Sequence, residues 1–108
     1  RVYGPRTSLE LEFPVDTGAT FTKMPESLAE RLGLEPEETV KVELSDGSLR
    51  ERGLTEARLE LMGVTRTVPI AIEPEGEEPI LGYTALETLR LRVNPVTKAL
   101  EPTLPIEY

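Results

Sequence analysis

The stretch Phe13-Pro14-Val15-Asp16-Thr17-Gly18-Ala19-Thr20 places one of only two aspartates in the chain on a turn at the end of an apolar strand; the other is Asp46. Upstream of it, Leu9, Leu11, Phe13 and Val15 alternate with Glu10, Glu12 and Pro14, the period-two pattern of a strand from Ser8 to Val15 with one buried face. Asp16 leaves that strand where the ordered backbone ends. Gly18 can take a positive φ, and Thr17 and Thr20 supply short hydroxyls able to bond nearby backbone groups. Such a turn can hold a carboxylate still while leaving it reachable. Read alone, the triplet also fits a plain structural turn, because Asp and Gly are ordinary turn formers.

Composition narrows what the carboxylate could be for. The chain has 108 residues, the common size of a single domain, and 38% of them are hydrophobic, enough for one modest core. Ten prolines and eight glycines leave room for many short strands rather than long regular elements. A net charge of -8 argues against nucleic acid or an anionic membrane as partner. The chain has no Cys and no His, which excludes thiol nucleophiles, Ser-His-Asp triads, disulfides and imidazole proton shuttles. No unperturbed side chain here titrates between about pH 5 and 8, so proton transfer would need carboxylates whose pKa values are pushed apart. No metal or cofactor is implied, since no Asp-x-Asp-x-Asp-Gly loop supplies oxygen ligands for a hard cation. The lack of cysteine fits a reducing, cytoplasmic setting. The apolar run around Ile70-Ala71-Ile72 is too short to span a bilayer. No signal peptide is visible, and the start at Arg1 fits a fragment or processed product.

Along the chain, Arg1 to Tyr3 reads as a possible edge strand broken by Gly4-Pro5. Pro25 and Glu26 open a two-turn helix with Leu28, Ala29 and Leu32 on one face, stopped by Gly33. Val40, Val42 and Leu44 then alternate with Lys41 and Glu43 up to Ser45-Asp46-Gly47-Ser48, which predicts a hairpin with a two-residue Asp46-Gly47 tip. The returning arm, Leu49 to Leu54, has few apolar residues and is expected to project. Ala57 to Leu61 and Val64 to Ile72 predict two more strands joined at Met62-Gly63, with Pro69 marking an edge or a bulge. The acidic segment Glu73 to Pro79 reads as a solvated loop. Ile80-Leu81-Gly82 is a short apolar strand before a helix with Ala85, Leu86 and Leu89 on one face. Leu91 and Val93 extend into a strand, Asn94-Pro95 turns, and Leu100, Leu104 and Ile106 mark short terminal segments. The sequence of apolar strand, Gly turn, short helix and Leu-x-Leu occurs twice, so two halves could face each other around a pseudo-twofold axis.

Together these landmarks resemble the retroviral-type, retropepsin-like aspartic proteases, particularly their prokaryotic relatives. The resemblance rests on Val15-Asp16-Thr17-Gly18-Ala19-Thr20, on the Asp46-Gly47 hairpin where that family has its flap, and on Ile80-Leu81-Gly82 followed by Ala85-Leu86-Glu87-Thr88-Leu89-Arg90-Leu91. It spans roughly Leu9 to Leu100. It implies one small, closed, β-barrel-like all-β domain over residues 1–108, with one or two short helices, hydrolysing peptide bonds as a homodimer. By position, Asp16 would be the catalytic aspartate, oriented by Thr17 and Gly18, with Thr17 also bonding across the dimer axis. Ala19 and the flap residues Leu44, Ser45, Asp46, Gly47, Ser48 and Leu49 would meet a peptide or protein substrate. Thr20, Ile80, Leu81 and Gly82 would support the turn from below.

That chemistry needs two carboxyl groups sharing one proton, one acting as general base on water and the other as general acid. This chain offers one Asp-Thr-Gly, and the matching position in its second half is Leu81. The dyad would therefore come from Asp16 of two subunits on a twofold axis. A monomer would be inactive, and water would attack without an acyl-enzyme. Two other readings stay open on the residues alone: a binding or assembly module in which Asp16 merely shapes a turn, and carboxylate-bound metal hydrolysis.

Overall fold

The computed structural model describes residues 1–104. In chain order the elements are β1 (Val2–Tyr3), β2 (Ser8–Leu9), β3 (Thr22–Pro25), α1 (Glu26–Leu32), β4 (Glu38–Glu43), β5 (Leu49–Leu61), β6 (Val64–Glu73), α2 (Tyr83–Leu89), β7 (Leu91–Val93) and β8 (Leu100–Pro102). The all-β class with two short helices is as expected. The main sheet runs β2-β1-β5-β6-β3, with β4 alongside the first half of β5, and β7 and β8 form a separate ribbon.

Among the described residues the expected closure into a barrel does not occur. The described sheet ends at β2 and β3, where Glu10 to Pro14 enters no ladder and Pro14 has no N–H to offer one. The predicted strand from Ser8 to Val15 is thus correct in burial and wrong in pairing. Leu11 and Phe13 are half-buried against the core while Glu10, Glu12 and Pro14 are exposed, yet only Ser8–Leu9 and the isolated bridge at Val15 are hydrogen-bonded as strand. At the other end of the prediction, Val2 is no edge residue. It is fully buried, because β1 lies between β2 and β5.

β5 is one continuous strand of 13 residues where two segments were expected. Its last nine positions, Gly53 to Leu61, pair with β6; its first six, Leu49 to Leu54, pair with β4. The β4–β5 ribbon therefore runs on past the end of the β5–β6 ladder, which fulfils the expected projection. Its tip differs in detail. Leu44 N–H donates to Ser48 C=O and Gly47 N–H to Leu44 C=O, so the loop has three residues, Ser45 to Gly47, with Gly47 at φ 84. A type I turn followed by a left-handed residue requires that glycine one place later than a two-residue turn would.

The β5–β6 turn is the two-residue kind, with Met62 at φ 52 and Gly63 at φ 77. Counting the antiparallel alternation from it, Glu56↔Pro69 falls at a non-hydrogen-bonded pair, so the missing N–H of Pro69 is not needed by β5. Parallel pairing to β3 begins only at Ile70, leaving the other side of Pro69 free. The strand accommodates Pro69 in the plain ladder, without the bulge.

The core lies on one face of this sheet. Ala57 and Leu59 of β5 and Val68 and Ile70 of β6 meet Met24, Leu32, Ala85, Leu86 and Leu89 from β3 and the two helices. Each fully buried Leu, Ile or Val contributes about 1.5–3 kcal/mol. α1 ends at Gly33 as predicted. The β7–β8 ribbon pairs Leu91 to Val93 with Leu100 to Pro102. Ile106 lies outside the described residues.

Candidate active site

Asp16 is positioned by the backbone on both sides of Val15. Asp16 N–H donates to Leu81 C=O at 3.0 Å and Leu81 N–H to Pro14 C=O at 2.9 Å, the parallel bridge Val15↔Leu81. The two strand-turn units that echo one another in sequence thus meet at Val15 and Leu81. The turn then closes on itself: Ala19 N–H donates to Asp16 C=O at 3.1 Å, and Gly18 N–H donates to Asp16 Oδ1 at 2.9 Å. Beyond it the chain is sewn to the Ile80–Thr84 segment. Lys23 and Ile80 exchange backbone bonds at 2.9 Å in both directions, Tyr83 N–H donates to Ala19 C=O at 2.7 Å, and Thr84 N–H donates to Thr20 C=O at 3.0 Å. The last two satisfy N–H groups in the first turn of α2, which has no side-chain cap.

Three expectations about this turn change. Gly18 has no positive φ; its value to the site is that a Cβ there would come within 3.2 Å of Asp16 Oδ1, crowding the carboxylate. The hydroxyls of Thr17 and Thr20 make none of the described hydrogen bonds. The hydroxyl that does brace the site is Thr22, fully buried, whose Oγ1 accepts from Gly82 N–H at 3.1 Å. The sequence carries no signal for it, since Phe21-Thr22-Lys23-Met24 mixes polar and apolar residues.

Gly82 is the tightest point. A Cβ built there would lie 2.4 Å from the carbonyl carbon and oxygen of Phe21, both backbone atoms that cannot swing aside. Gly82→Ala is therefore expected to destabilise the fold by about 2 kcal/mol, an overpacking cost. Thermal unfolding at fixed protein concentration checks it, with a fall on the order of 10 °C expected.

The carboxylate itself is open. Asp16, Thr17, Gly18 and Thr20 are exposed and Ala19 is half-buried. Gly18 N–H is the one described hydrogen-bond donor to the Asp16 side chain, and Asp16 joins none of the described ion pairs. The other aspartate is committed elsewhere. Asp46 Oδ1 accepts Ser48 Oγ at 2.5 Å and Ser48 N–H at 2.9 Å, and these bonds, the side-chain one first, hold its carboxyl below the usual carboxylate range. Asp46 therefore stays ionised as a tip brace, a poor proton donor.

Between the turn and the ribbon lies a cavity of about 440 Å³. Gly18 to Phe21 line one side, Lys41 to Glu43 of β4 and the following Leu44 another, and Lys23, Ala71 and Glu73 its floor. The turn and the base of the predicted flap thus share one space. Glu73, expected in a solvated loop, is instead the last residue of β6 and buried, with its carboxylate ion-paired to Arg52 on the ribbon. Neither residue carries a sequence signal for this pairing, because they are 21 positions apart and meet only through the β5–β6 register. Among the described residues no group of three or more His, Cys, Asp or Glu could hold a metal ion.

An all-β domain that hangs an exposed Asp-Thr-Gly carboxylate on a Leu-Gly-helix element, beneath a β-ribbon, is an aspartyl-protease-like domain. The family model described as gag-polyprotein putative aspartyl protease matches residues 8–88, and the chain belongs to that family. The matched span contains the Asp16 turn, the ribbon and the Ile80–Gly82 support. No match was found among curated proteins.

Proposed function

We propose that this chain is an aspartic endopeptidase acting as a homodimer, in which Asp16 of each copy supplies one carboxyl of a shared dyad. The observation that carries the reading is the condition of Asp16: firmly placed by backbone, exposed, and joined to no ion pair among the described residues. Asp46, the remaining aspartate, is bound to Ser48 at the ribbon tip, so a second copy is the source of the partner carboxyl. Val15 and Tyr83, 38% and 49% exposed on either side of the turn, give such a copy apolar surface to cover.

Two carboxyls brought within about 3 Å cannot both ionise easily, so they titrate as a coupled pair and hold one proton between them. The ionised member takes a proton from water as its oxygen attacks the scissile carbonyl carbon. The protonated member donates to the carbonyl oxygen, and the collapsing intermediate passes a proton to the leaving amine. Gly18 N–H on Asp16 Oδ1 fixes the carboxylate plane, and Thr17 bonds across the twofold axis. Leu44 to Leu49 fold over the bound peptide, beside Ala19. Thr20, Ile80, Leu81 and Gly82 hold the turn, and no cofactor takes part.

Peptide cleavage measured from pH 3 to 9 is expected to peak below about pH 6.5, since losing the shared proton removes the acid. Specific activity should also fall on dilution as the dimer dissociates. A maximum at pH 8, or full activity in solitary subunits, sinks the proposal.

A further inference from the structure

The cavity beside the Asp16 turn has an unusual charge for this protein. The chain carries 20 acidic residues against 12 basic ones and only three lysines, Lys23, Lys41 and Lys98. Two of the three line this one space. Neither takes part in a described ion pair. Lys23 is half-buried in β3, its backbone used by Ile80, and Lys41 is exposed on β4 opposite Glu51 in the ladder, with no ion pair between those two. Among the described residues that line the cavity, Glu73 is already neutralised by Arg52, which leaves Glu43 as the one carboxylate outside a described ion pair, against two ammonium groups.

We infer that this cavity is a substrate subsite for an acidic side chain, an Asp or Glu carboxylate of the peptide received by Lys23 and Lys41. The inference rests on the peptidase reading above and adds a specificity to it. A cationic pocket in an otherwise anionic surface does two things. It attracts the acidic residue locally, and it orients a peptide that the rest of the molecule would repel if the peptide were acidic throughout. The occupant is therefore a single acidic residue in a neutral or basic segment.

The test uses matched peptides in which Glu, Gln or Lys is moved through each position around the cleaved bond. At one position Glu is expected to raise kcat/KM about tenfold over Gln, the size of a hydrogen bond to a charged group. In Lys41→Glu that preference should disappear or pass to Lys, and Lys23→Met, which keeps the apolar stem, should weaken it with the fold intact. The same peptides, labelled and titrated into Asp16→Asn protein by fluorescence anisotropy, read the pocket without turnover. Tighter binding of the Glu peptide that is lost in the Asp16→Asn, Lys41→Glu double variant supports the subsite whatever the rate data. Cleavage that requires Asp16 but is indifferent to Glu, Gln or Lys at every position overturns the subsite and leaves the peptidase reading standing. Absence of cleavage from any peptide overturns the peptidase reading, and charge-blind binding then overturns the subsite with it.

Discussion

Asp16→Asn is expected to leave a folded dimer whose peptide cleavage has fallen by roughly 10⁴-fold, the loss that follows from removing both general-base and general-acid function. The change is nearly isosteric, and the side chain is exposed, so packing is untouched. The amide oxygen can still accept the Gly18 N–H that now bonds Asp16 Oδ1, which keeps the turn in shape. What disappears is the group able to hold and release a proton. Measuring kcat/KM beside sedimentation velocity separates the two effects, and turnover retained in a dimeric variant would remove Asp16 from the mechanism.

The largest effect on stability is expected at the Arg52–Glu73 pair. Their side chains are only 13% and 7% exposed, so Arg52→Met strands a carboxylate in a dry site and should cost about 3 kcal/mol. The double variant Arg52→Met with Glu73→Leu removes both charges and should recover most of that loss, since apolar replacement of a buried pair is often neutral. Urea unfolding at one protein concentration tests both, because dimerisation would otherwise add to the apparent stability. A loss under about 1 kcal/mol in Arg52→Met would mean that solvent reaches the pair. The pair also joins the ribbon to the sheet at the floor of the cavity, so the single variant leaves Glu73 unneutralised there and should weaken any preference for acidic peptides.

Much of this site could be read from the residues in order. The Asp16 turn, the helix from Glu26 to its stop at Gly33, the ribbon tip at Asp46-Gly47 and the Gly82-helix unit are each local devices, in which spacing of a few residues sets the geometry. The φ of Gly18 and the three-residue ribbon tip differ from expectation within a few residues, but the misreadings of pairing and burial share one cause, which is that they depended on a partner distant in the chain. Leu9 to Val15 has the right alternation for a strand, but alternation reports which side faces the core and says nothing of whether a neighbour exists to complete the ladder. Glu73 looked solvated because it begins an acidic run. Arg52 reaches it only after β5 and β6 align. Thr22 and Gly82, 60 positions apart, brace each other through a bond that neither segment implies.

The amino-acid order by itself narrowed the chemistry open to this protein: with no histidine or cysteine, acid and base work is left to carboxylates, Lys, Tyr and hydroxyls, and the one Asp-Thr-Gly puts a carboxylate on a turn. It also determined the short elements, because caps, turns and periodicity act over neighbouring residues. Only the tertiary structure decided which surfaces meet. It left the sheet open, hung Asp16 from Leu81, drew Lys23 and Lys41 to one cavity and buried Glu73 against Arg52. Those outcomes depend on register and packing between segments tens of residues apart, where the free energy of contact is settled jointly by both partners and is written in neither one alone.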